Sequence, residues 1–311
     1  MRKPRKSALG AALLALALFA GACGSGESDD NPGGGDAGGN EPKGTITVGS
    51  IGFAENQIVA EMYAQVLEDA GYTVERQLSI KSREILQPSM RDGDIDLAPE
   101  YTGSLLVFLD PNAETSSDAQ AEVDANNELL SKNDLTMLEP SGANDTNGLV
   151  VTQETADANS LTTTSDLADV AGDLTLGGPP ECPERPFCIP GFEETYGITF
   201  GNFKPLDVGG PLTVAALKKG EIDVALLFTT SSAIEANGFV TLEDDEALQP
   251  ADVIVPVIRD DANNDEVTKL LDSVSAAITT EEMVQLNTKV EIDHEDAAEV
   301  ATEYLLSKGL V

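Results

Sequence analysis

Tryptophan is absent from this chain of 311 residues, and histidine occurs once, as His294. With one His among the acidic residues near the C-terminus, zinc chemistry and Ser–His hydrolysis both lack parts. Neither a P-loop nor a G-x-G-x-x-G fingerprint is present, so no motif points to nucleotide chemistry. Basic residues are scarce: 18 Lys and Arg stand against 55 Asp and Glu, a formal net charge of −37. That balance excludes nucleic acid, or an anionic membrane surface, as the partner of the folded part. The acids are scattered along the chain, which reads as a solubility or high-salt adaptation rather than a lure for a cation. They are also so abundant that spacing alone selects no catalytic pair. We expect no enzyme, no cofactor and no metal.

Long hydrophobic runs are missing too. Residues 8–20 are apolar but short for a membrane span. They follow a basic start, residues 1–6, and precede Ala20-Gly21-Ala22-Cys23. This resembles a bacterial lipoprotein signal, which implies removal of residues 1–22 and lipidation of Cys23. Residues 23–44 are rich in Gly, Asp, Asn and Ser and bury too little to fold, so they read as a flexible tether. The expected location is extracytoplasmic, at the cell membrane through the lipid anchor only.

What the chain does have is a repeat. Met90-Arg-Asp-Gly-Asp-Ile-Asp-Leu-Ala runs on to Tyr101 and Thr102, and Leu217-Lys-Lys-Gly-Glu-Ile-Asp-Val-Ala runs on to Phe228 and Thr229. Each copy reads as a helix stopped by a glycine, a short strand and a hydroxyl-rich turn. In a parallel sheet such turns lie at the carboxyl ends of strands, where open α/β sheets bind ligands. Two copies predict two similar lobes offering polar turns to one cleft. Around them, alternation and helical periodicity predict strands at 45–50 and 73–80, helices at 58–70 and 82–91, a helix from Ser104, and three final helices within 264–308. Residues 177–191 hold too many prolines for regular structure. Cys182 and Cys188 lie in that loop; in an exported protein the pair reads as a disulfide, with metal binding as the alternative. A short helix is expected at 192–196.

Further groups recur in a familiar order: Val48-Gly-Ser50 with Glu55, Pro99-Glu-Tyr-Thr-Gly103, Glu184-Arg-Pro186 with Pro190-Gly191, Thr195-Tyr-Gly197, and Glu281-Glu-Met-Val-Gln-Leu-Asn287. On these residues, from 45 to 311, the sequence resembles the extracytoplasmic binding proteins of ABC importers for glycine betaine, choline and related osmoprotectants. The resemblance implies an α/β, two-lobed periplasmic-binding-protein-like fold of type II, with parallel-rich sheets and two crossover segments. Lobe one would be 45–146 plus 252–311 and lobe two 147–251, closing on a small polar or zwitterionic solute by hinge motion. An ABC permease with its ATPase would be the partner, and the protein a monomer. A sensory or permease-modulating lipoprotein with a non-betaine ligand is the second reading. The family commonly cages a trimethylammonium head with Tyr rings. Ala98, Asn147 and Ile189 stand where aromatics are common, so a more polar cleft is expected. Its rings would be Phe53, Tyr101, Phe187 and Phe228, and its polar wall Ser50, Thr102, Asn144, Asn147, Arg185, Thr229 and Thr230.

Overall fold

The computed structural model describes residues 43–116 and 118–311. Cys23, the signal segment 1–22 and nearly all of the tether lie outside the described residues. The described chain builds two five-stranded mixed sheets flanked by helices, an α/β fold in two lobes.

The first lobe opens with β1 (Thr45–Ile51), α1 (Ala54–Asp69), β2 (Thr73–Ile80), α2 (Arg83–Asp92) and β3 (Leu97–Tyr101). It continues through α3 (Thr102–Leu109), α4 (Ala119–Leu130) and β4 (Leu135–Met137). Strand β1 pairs in parallel with β2 and β3, as helical crossovers require. The chain then crosses over. The second lobe holds β5 (Asn147–Thr152), α5 (Gln153–Asn159), β6 (Thr175–Gly178), α6 (Ile189–Tyr196) and β7 (Asn202–Pro205). After these come α7 (Pro211–Lys218), β8 (Val224–Phe228), α8 (Ala233–Asn237) and β9 (Phe239–Thr241). The return crossing leads into β10 (Ile254–Arg259), and α9 (Asp265–Ala277), α10 (Thr280–Glu291) and α11 (Ala297–Lys308) finish the first lobe.

The strand orders, β2-β1-β3-β10-β4 and β7-β6-β8-β5-β9, are matched position by position. In each sheet the fourth strand arrives by a crossing and runs antiparallel to the third. Pro99 and Pro256 face each other across the β3–β10 pair, which confines two missing N–H donors to one rung.

The sequence repeat has a structural cause in this matched plan. Gly93 and Gly220 both stop their helices at positive φ, +83° and +68°, which L side chains rarely adopt. The following Ile95 and Ile222 are buried. Asp96 then accepts a hydrogen bond from Thr47 N at 2.8 Å, and Asp223 accepts one from Thr175 N at 2.8 Å. Each Ile-Asp therefore anchors a helix end and stitches a central strand to its neighbour. The strands it launches end at Tyr101 and Phe228.

Two boundaries differ from the sequence expectation. Helix α3 starts at Thr102 rather than Ser104, because Asp252 in the return crossing accepts from Ser104 N at 2.9 Å and satisfies its first turn. Helix α6 starts at Ile189 rather than Phe192, since Pro190 is tolerated in a first turn, where its missing N–H has no partner to lose.

The first lobe buries one continuous apolar cluster, with Val48, Leu97 and Val257 from the sheet against Ile58, Met62 and Val274 from the helices. The second sheet is covered on both faces by smaller clusters, around Leu176 and Val224 on one side and Ala225 and Leu227 on the other. The two crossings are hydrogen-bonded to each other: Ser141 N donates to Ile254 O at 2.9 Å, Ile254 N to Ala143 O at 3.1 Å, and Asp145 N to Asp252 O at 2.8 Å. The strands of both lobes thus run into one shared, paired hinge.

Candidate functional site

A cavity of about 280 Å³ lies between the lobes, walled by the loop after β1, the ends of β3 and β8, the start of α2, the hinge and the 179–188 loop. Its apolar side is aromatic. Phe53, from the turn between β1 and α1, packs on Phe228 of the second lobe at 4.8 Å between centroids and on Tyr101 at 6.1 Å. Offset ring contacts at such distances are favourable in themselves. Phe108 and Phe187 extend the apolar wall on either side.

Two ion pairs shape the polar side. Arg83 donates from Nε to Glu100 Oε2 at 2.9 Å, Gln87 Nε2 donates to Glu100 Oε1 at 2.8 Å, and all three residues are buried. Burial opposes the charge on Arg83, but Glu100 overrides it and holds the guanidinium protonated. Arg185 reaches across the cleft to Glu84 on α2, with Nε at 3.2 Å and Nη2 at 3.1 Å from Oε1. Although burial opposes it, hydrogen bonding by Ser82 and the charge of Arg185 hold Glu84 below the usual carboxylate range.

Behind the rings sits a third group of charges, and its members are all acids. Glu55 in the first turn of α1 accepts from Tyr101 Oη at 2.9 Å and from Asn287 Nδ2 at 3.1 Å. Asp145 in the outgoing crossing accepts from Thr230 Oγ1 at 2.9 Å and Thr230 N at 3.2 Å. Glu55 is pushed up by burial despite those hydrogen bonds; Asp145 is pushed well up by burial and by adjacent Glu55. Burial likewise raises Asp252 to about 7, although Arg83 works against it. Burial raises Glu291, which accepts from Ser231 Oγ at 3.2 Å and Ser232 Oγ at 2.7 Å. This network joins α1 and α10 of the first lobe to the β8 turn of the second.

The structure places the residues singled out from sequence in two sets. Phe53, Tyr101, Asn147, Arg185, Phe187 and Phe228 line the cavity. Ser50, Thr102, Asn144, Thr229 and Thr230 do not line it, and the polar groups of the last four serve the hinge. Thr102 Oγ1 accepts from Val253 N at 3.2 Å, Asn144 Oδ1 from Asp252 N at 2.7 Å, and Thr229 Oγ1 from Thr146 N at 3.0 Å. Ser50 is buried with its hydroxyl unpartnered. Cys182 and Cys188 form a disulfide, 5.2 Å between Cα atoms, whose short loop carries Arg185 and Phe187 into the cleft.

Sequence reasoning missed Arg83, Glu84, Phe108, Asp145 and Asp252. The scarcity of basic residues was a usable signal for Arg83. Nothing distinguished Asp145 or Asp252 among 55 acids. Among the described residues, no group of three or more His, Cys, Asp or Glu is placed to hold a metal ion, and no helix is long and apolar enough to cross a membrane.

Comparison with known proteins gives a consistent result. A family model described as the substrate binding domain of ABC-type glycine betaine transport systems matches residues 44–307. The glycine betaine-binding protein YehZ of Escherichia coli K12 is 29% identical over 276 residues, spanning 85% of this chain and 90% of that protein. The carnitine transport binding protein OpuCC of Listeria monocytogenes is 28% identical over 272 residues, spanning 86% of this chain and 88% of that protein. A crystal structure described as a glycine betaine/carnitine/choline ABC transporter superposes with a TM-score of 0.66 at 26% identity, covering 85% of this chain and 99% of the other.

Proposed function

Because the chain belongs to the family of substrate-binding domains of ABC-type glycine betaine transport systems, we propose that its lobes, 45–146 plus 252–311 and 147–251, close on a small cationic or zwitterionic solute and pass it to an ABC permease. Proteins of this family bind small solutes outside the cytoplasm and work with ABC permease components. The solute occupies the cavity against Phe53, Tyr101 and Phe228, with Asn147 and Arg185 at its polar side. The observation that carries this reading is cross-lobe contact at the cavity itself: Phe53 meets Phe228, and Arg185 meets Glu84. Both contacts join one lobe to the other at the cavity wall, so a solute held there bears on both lobes at once.

Calorimetric titration with glycine betaine, choline and carnitine tests it. At least one should bind, and Phe228→Ala should weaken that binding by about threefold to thirtyfold, the share of one ring facing a cation. Absence of binding by all three, or no effect of Phe228→Ala, would count against the cleft. The protein acts as a monomer at the membrane surface, held by acyl chains on Cys23 after removal of residues 1–22. Cys23→Ala should release it from the membrane fraction or leave the precursor unprocessed. Unchanged retention and processing would remove the anchor from this account.

A further inference from the structure

The charged donors on the cleft wall are already engaged inside the protein. Arg83 is held by Glu100, and Arg185 by Glu84. Two acceptor oxygens on the same wall are not. Asp145 is 2% exposed, and its Oδ2 has no hydrogen-bond partner. Glu181, on the 179–188 loop, also has a buried oxygen, Oε2, without one. Buried acceptors lacking a donor are costly, so a molecule that fits this wall brings donors to it.

The distribution of charge leads the same way. The side chains that donate to Glu55 and Asp145 are Tyr101, Asn287 and Thr230, all neutral. Two adjacent carboxyl groups in apolar surroundings are left without a counter-cation; a cationic solute supplies one, and the proton that burial holds on Asp145 leaves to water as the solute binds. The rings alone are a poor substitute. With Phe53 and Phe228 packed at 4.8 Å, a cation within about 6 Å of both centroids, facing both rings, would have to part them.

Building on the proposed solute capture, we infer that this cleft selects a cationic nitrogen bearing at least one N–H, which donates to Asp145 Oδ2, over its fully alkylated counterpart. A quaternary ammonium satisfies the charge and leaves the oxygen unpaired. A protonated secondary or tertiary amine satisfies both. Hydrogen bonds to charged groups are among the stronger ones. Glu181 Oε2 provides a second acceptor for a solute with a further donor.

The test compares two matched pairs on the mature protein at neutral pH, where each tertiary amine is protonated: N,N-dimethylglycine with glycine betaine, and N,N-dimethylethanolamine with choline. In at least one pair the N–H member should bind about tenfold tighter or more, and Asp145→Asn should reduce that ratio below about threefold. Equal or tighter binding of the quaternary member in both pairs overturns the inference while leaving solute capture intact. A preference that survives Asp145→Asn unchanged overturns the role of Asp145. Failure of all four compounds to bind removes this inference, and solute capture in this cleft falls with it only if carnitine also fails to bind. Should Asp145→Asn not fold, the wild-type ratios still decide, and Glu181→Gln tests the second acceptor.

Discussion

Replacing Glu100 with Gln is expected to lower the unfolding free energy by about 3–5 kcal/mol, the cost of leaving one member of a buried ion pair alone. Glu100 is the fourth residue of β3, a strand buried along its whole length. Its carboxylate is shared between Arg83, which lines the cleft, and Gln87 one turn further along α2. The amide of Gln keeps the shape but loses the charge, and its N–H₂ turns toward groups that are themselves donors. Arg83 would then keep only the more distant influence of Asp252 and Glu84. Chemical unfolding read from the midpoint at constant slope measures the change. The double variant Arg83→Met, Glu100→Leu should recover most of it, since an apolar pair of similar volume avoids the desolvation penalty. A loss under about 1 kcal/mol for Glu100→Gln would show that Asp252 has become the counter-ion.

Much of the fold was legible in the sequence because it rests on short-range causes. Alternation marked β1, glycines marked the ends of α2 and α7, and the repeated Ile-Asp announced a plan used twice. The cavity wall was legible where type is rare: all five aromatic or basic residues chosen for it, Phe53, Tyr101, Phe187, Phe228 and Arg185, line the cavity together with Asn147. The hydroxyl residues were misplaced for a physical reason. A turn at the end of a strand must satisfy its own backbone first, and here the paired crossings take Thr102, Thr229 and Thr230 for that purpose. The buried acids were illegible because burial, not identity, makes them special. Asp145 and Asp252 meet only when the two crossings pair, more than a hundred residues apart in sequence.

That pairing gives stability a dependence on pH opposite to that of an ordinary salt-bridged protein. Glu55 and Asp145 have raised pKa values in the folded state, and unfolded values near the ordinary ~4. Above pH ~4 the unfolded chain releases protons that the folded chain retains, so the native state binds more and unfolding becomes easier as pH rises. The stabilisation is fully present below the unfolded pKa and is lost as pH climbs through the folded one. A proton retained by the folded chain alone contributes a slope of about 1.4 kcal/mol per pH unit over the pH range in which it is retained. Asp252, pushed up to about 7, adds in the same sense. Carboxylates held low by cations, such as Glu84 and Glu68, act in the opposite sense. Their effect is confined to the acid side, below about pH 5, where the unfolded chain still takes up protons. Unfolding of the ligand-free protein measured at pH 5, 6 and 7 should therefore show falling stability. Asp145→Asn keeps the oxygen that accepts from Thr230 and places an N–H₂ where Oδ2 stands, imitating the protonated acid. It should flatten the slope by up to about 1.4 kcal/mol per pH unit while leaving stability at pH 5 nearly unchanged. Wild-type stability that rises from pH 5 to 7 would mean that both carboxyl groups ionise in place, and that a cation reaches them in the ligand-free protein.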